Sequence, residues 1–197
     1  MRNASLRLAL WHRHVNAVNA PPALRHWLTG AGSLTAKLTA HCQAFRVQRL
    51  RQSIAPCLQD EAALIGLDRR GQTRRGQIRE RTVLLHCDDR PIVFAHTVVP
   101  LTATASDWPL FGALGERSLG STLFGDPRVA RGDLEYARLR PTHPLAQRAR
   151  KALGASGDQV LYARRCLYRR KRGLLLVTEV FLPALASLDT QGNRTWR

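Results

Sequence analysis

GLLLVTEVFLP, residues 173–183, decides how the rest of the chain is read. Side chains alternate along a strand, so Leu175, Val177, Glu179 and Phe181 share one face. Leu174, Leu176, Thr178, Val180 and Leu182 share the other. Both faces are largely apolar, which predicts a central strand covered on both sides. Glu179 stands where the pattern calls for a hydrocarbon. A buried, unpaired carboxylate costs several kcal/mol or goes neutral. It therefore needs a cationic partner, a raised pKa or a hydrogen-bonding ligand, and a structural ion pair is the commoner of these.

A matching anomaly lies upstream in IRERTVLLHCDDRPIVFAHTVVP, residues 78–100. Two β-rich runs flank a turn at Asp88, Asp89 and Arg90, followed by Pro91. Arg81, Val83, Leu85 and Cys87 share a face, so Arg81 enters apolar strand surface just as Glu179 does. The two can pair, or they can grip a small polar molecule from opposite ends of one cavity.

Short helices fill the intervening segments. Pro21 and Pro22 open ALRHWL, which Gly30 closes. Ser33 is an N-cap for LTAKLTAHC, and Ser118 for LGSTLF; Ser106 or Asp107 is expected to cap WPLFGALG. Strands are expected over residues 45–52, 131–138 and 159–169, and a helix from Pro144. Residues 1–20 read as a loose arm or a first helix, 21–185 as one domain, and 186–197 as a frayed tail. The sum is an α+β domain with a single antiparallel sheet of about six strands.

The chain has 197 residues, enough for one domain with a proper core. Its 31 Lys and Arg against 14 Asp and Glu give a net charge of +17. Such a surface attracts nucleic acid, acidic lipid or a dianionic metabolite. Residues 69–79 and 164–172 are the best nucleic-acid candidates. No aromatic interleaves the arginines of the first stretch, so a stacking platform is missing and nucleic acid is not expected. Weak association with a membrane surface stays open. Cys42, Cys57, Cys87 and Cys166 lack zinc-finger spacing and read as reduced thiols of a cytoplasmic protein. No transmembrane length, HExxH, nucleophile elbow, Walker or dinucleotide pattern occurs.

With these residues in hand, the chain resembles the bacterial chorismate lyases of ubiquinone biosynthesis. The shared pattern is Arg81 entering a hairpin that ends in Thr97-Val98-Val99-Pro100. Leu114-Gly115, Ser118-Leu119-Gly120 and Leu123-Phe124 follow, and then Leu174 to Pro183. The resemblance implies an internal cavity closed by two helical flaps, matched to residues 30–42 and 110–124. It implies elimination of pyruvate from chorismate to give 4-hydroxybenzoate, by a monomer that needs no cofactor or metal. It assigns Arg81 to the ring carboxylate, Glu179 to the ring hydroxyl, and the backbone N–H groups of Leu34 and Leu119 to substrate binding. Each leucine directly follows a predicted N-cap serine. One departure is His96, at a position where the family commonly has Arg. The rival readings are a non-catalytic effector-sensor domain and a basic nucleic-acid-binding protein.

Overall fold

A computed structural model describes residues 8–30, 32–67 and 77–188. The predicted hairpin forms β3 (Gln77–Cys87) and β4 (Arg90–Pro100). Asp88 and Asp89 both take positive φ, 49° and 64°. That is the twist a two-residue turn needs, and Asp tolerates it better than most residues. The decisive stretch is β7 (Gly173–Phe181), reached from β6 (Leu161–Arg170) by a tight turn with Lys171 at φ 53°.

With β1 (Trp11–His12), β2 (Phe45–Pro56) and β5 (Val129–Leu139), these make one antiparallel sheet ordered β1-β5-β6-β7-β4-β3-β2. β7 is the middle strand of seven, as its two apolar faces require. The additional strand is β1, whose two residues pair with Ala137 and Tyr136. The expected N-terminal arm is thus partly sheet, and Val18 and Ala20 after it are buried. At the other end, Leu185 and Leu188 are buried, so the segment expected to fray from 186 is packed as far as Leu188.

The helices lie on both faces. On one, α1 (Pro22–Thr29) and α2 (Leu34–Thr39) set Trp27, Leu28, Leu34 and Leu38 against Val83, Leu85 and Phe181. Beside them, Trp108, Phe111 and Leu123 pack on Val99, Tyr168 and Leu175; Leu123 belongs to α3 (Leu119–Gly125). On the opposite face α4 (Pro144–Ala152) sets Leu145, Ala146 and Ala149 against Leu84, Phe94 and Val180. The helical turn at Pro109–Ala113 begins after Trp108 without a side-chain cap. Ser106 and Asp107, expected to cap it, fall two residues and one residue too early.

The cysteine expectation also needs correction. Cys42 and Cys87 form a disulfide, with Cα atoms 5.3 Å apart, while Cys57 and Cys166 are free. The cause is strand register: Phe45 sits opposite Cys87, which brings the end of α2 onto the end of β3. A separation of 45 residues hides that proximity in the sequence.

Asp60 ties the α4 face together. Trp11 Nε1 donates to it at 3.1 Å and His143 Nε2 at 3.2 Å, and His143 is the N-cap of α4. Burial pushes this carboxyl up, but the bonds from His143 and Trp11 and the nearby Arg165 charge outweigh it, leaving the pKa below the ordinary value. A depressed carboxyl contributes stability above its unfolded pKa and loses it as pH falls through the folded value. Urea midpoints should therefore hold near neutrality and fall below about pH 4. Asp60→Asn should flatten that acid limb; an unaltered limb would show that Asp60 does not shape it.

Candidate active site

The α1/α2 face of the sheet is organised in cross-strand rows. In one row Arg81, Thr97, Val177 and Cys166 stand side by side on β3, β4, β7 and β6. In the adjacent row Val83, Ala95, Glu179 and Arg164 do the same. These side chains floor a cavity roofed by the two flaps, through Ser33, Leu34, Thr35, Ser118, Leu119 and Gly120. Arg81, Glu179, Leu34 and Leu119, picked out from sequence, all line this one cavity.

The flaps are built as their caps predict. Ala36 N–H donates to Ser33 Oγ and Gly120 N–H to Ser118 Oγ. Leu34 and Leu119 are then the first residues of their helices, where backbone N–H groups lack an intrahelical acceptor. Thr35 Oγ1 and Ser118 Oγ join the flaps at 2.7 Å. The approach is close: a Cβ on Gly120 would stand 2.9 Å from Ser33 Oγ and 3.1 Å from Thr35 Oγ1.

Arg81 is 2 % exposed and has no carboxylate partner among the described residues. Its Nη2 donates to the carbonyls of Gly115 and Arg117, which fixes the base of the second flap. Its buried Nε has no hydrogen-bond partner. Burial, and then the charge of Arg49, push its pKa down to about 10. A buried guanidinium with a spare donor and a neighbouring cation has the chemistry to hold an anion.

Glu179 does have a cation, but it is not Arg81. Arg164 Nε donates to Glu179 Oε2 at 2.5 Å, and Arg164 Nη1 donates to the carbonyls of Trp27, Leu28 and Gly30. Arg164 thus orients the carboxylate and clamps the end of α1, where the first flap begins. Sequence reading placed Arg164 in a basic surface patch. In the structure Arg164 and Arg165 are buried, and Arg165 pairs with Glu135 at 2.7 Å. Arg170 pairs with Asp126. That consumes much of the 164–172 candidate for nucleic acid; most of the other, 69–79, lies outside the described residues.

His96 lies on the opposite face, buried, with Nε2 3.5 Å from Glu61 Oε2. It alternates with Ala95 and Thr97, which face the cavity. The departure at this position is therefore remote from the cavity. Cys166 does line the cavity, but burial raises its thiol pKa and Sγ donates to Gly132 O, so it is no ready nucleophile.

The class this defines is a small α+β protein whose antiparallel sheet is closed on one side by two helical flaps, over a cavity with a buried arginine and an oriented glutamate. The chain belongs to the chorismate lyase family, whose model matches residues 5–190. A probable chorismate pyruvate-lyase of Cupriavidus pinatubonensis is 47% identical over 173 residues, covering 87% of each chain. One from Nitrosomonas eutropha is 41% identical over 175 residues, covering 89% of this chain and 95% of the relative. Among solved structures, PhnF from Mycobacterium smegmatis aligns with TM-score 0.54 at 15% identity, covering 79% of this chain and 66% of that one. Its effector domain alone gives 0.51 at 14% identity, over 79% and 91%. At such identity the likeness concerns the fold. No helix among the described residues is long and apolar enough to cross a membrane.

Proposed function

We propose that the protein is a chorismate lyase that converts chorismate to 4-hydroxybenzoate and pyruvate, the first committed step toward ubiquinone. The reaction breaks the ether C–O bond of the enolpyruvyl group. The ring carbon bearing the hydroxyl loses its proton, and the ring becomes aromatic. The departing enolpyruvate takes up a proton at its methylene carbon to give pyruvate. Aromatisation drives the step, so the site has to hold one reactive conformer and stabilise the charge that moves.

The observation that carries this reading is the buried Arg81, without a carboxylate partner among the described residues, in a cavity that also holds Glu179. Arg81 offers its unused Nε–H and its positive charge to the ring carboxylate, a charge-assisted bond. The N–H groups of Leu34 and Leu119 add donors from the flaps. Glu179, aimed by Arg164, accepts from the ring hydroxyl. Purified protein given chorismate should release equal amounts of pyruvate and 4-hydroxybenzoate, followed by coupled lactate dehydrogenase and by chromatography. Saturable binding of 4-hydroxybenzoate without turnover would instead favour a non-catalytic binding domain.

A further inference from the structure

Chorismate carries two carboxylates, and Arg81 answers only one of them. Arg131 on β5 lines the same cavity. Its register partner is Tyr168, and the next pair along the strands is Leu134 with Cys166. Three residue steps on β5 thus span two on β6, which is a β-bulge. The bulge has a consequence for side-chain direction. Residues three apart on a regular strand point to opposite faces. With the extra residue, Arg131 and Leu134 both face the cavity. Gly132 permits this, because a Cβ there would stand 3.0 Å from Leu167 O. Bulges commonly re-aim a side chain beside an active site.

We infer that Arg131 binds the enolpyruvyl carboxylate of chorismate, opposite Arg81, which holds the ring carboxylate; this rests on the chorismate lyase reading above. β3 and β5 are separated by β4, β7 and β6, so their backbones lie about 19 Å apart at the usual strand spacing. Arg81 and Arg131 enter the cavity from those two sides, and a small dianion fits between two guanidinium groups so placed. Arg131 also lies over the Phe124 ring of the second flap, 5.5 Å from its centroid. Flap closure over substrate and engagement of the second carboxylate therefore involve the same side chain. As the ether bond breaks, charge gathers on the departing enolate beside that carboxylate, where Arg131 stabilises it.

The test exploits the product, which lacks the enolpyruvyl group. Arg131→Met should lower kcat/KM for chorismate by about 10- to 100-fold, while the Kd for 4-hydroxybenzoate stays within about twofold. Pyruvate, a weak inhibitor of the wild type on this account, should lose its effect. If Arg131 served only to hold Phe124 and the flap, 4-hydroxybenzoate would weaken in step with chorismate, and that result overturns the inference. So does an Arg131→Met enzyme with wild-type kcat/KM. Should that variant fail to fold, Arg131→Lys keeps the charge without the fork; it should retain product affinity and lose part of kcat/KM, and unchanged kinetics would overturn the inference. A wild-type protein that releases no pyruvate overturns the chorismate lyase reading itself, and this inference with it.

Discussion

Arg81→Ala is expected to lose nearly all turnover and nearly all affinity for 4-hydroxybenzoate, in a protein that still folds. A charge-assisted bond from its Nε at about 1.5–3 kcal/mol corresponds to a loss of about 10- to 100-fold in kcat/KM. Stability should change far less. The substitution leaves two loop carbonyls, of Gly115 and Arg117, short of a donor. It also removes a buried cation that has Arg49 as a neighbour and no acid, and these effects oppose each other. Steady-state kinetics and thermal melts on the same preparation check both halves. Near wild-type kinetics would remove Arg81 from the site.

Glu179→Gln should be the more damaging change to the fold. Arg164 would keep its three carbonyl acceptors but lose its ion-pair partner Glu179, with its own side chain 3 % exposed. Breaking one side of a buried pair costs roughly 3–5 kcal/mol, and the carbonyls should hold the loss to the lower part of that range. Activity should fall as well, because the ring hydroxyl loses a charged acceptor. Replacing the pair together, Glu179→Leu with Arg164→Met, should recover much of the stability and none of the activity. Denaturant titrations of the single and double variants read the coupling directly. An unaltered midpoint in Glu179→Gln would mean that the pair contributes nothing.

Local signals served well in reading this chain, and tertiary ones did not. Alternation placed β7 at the centre of the sheet, Asp88-Asp89 marked the hairpin turn, and Ser33 and Ser118 marked the two flap helices. Each of these is a pattern confined to a few neighbouring residues. Arg81 and Glu179 stood out because a charge in an apolar alternation is conspicuous on its own. Arg164 was hidden, since its neighbours Arg165, Arg169 and Arg170 make the strand look like basic surface. Only its pairing opposite Glu179 in the register exposes its role. Arg131 was read as a strand residue without a face, because a bulge cannot be counted from one strand alone. The disulfide and the two-residue strand at Trp11 depend on long-range proximity, which composition and periodicity do not encode.

The first flap is fastened at both ends and by different means. Arg164 grips the carbonyls of Trp27, Leu28 and Gly30 at its start, and the Cys42–Cys87 bond holds its finish to β3. The two fastenings stand like the abutments of a drawbridge, one ionic and one covalent. Between them the flap's tip meets the second flap, where Thr35 touches Ser118 and lies close to Gly120. Reducing the disulfide is expected to release one abutment and leave the ionic one, and product-release rates with and without reductant check whether the flap's hold depends on it.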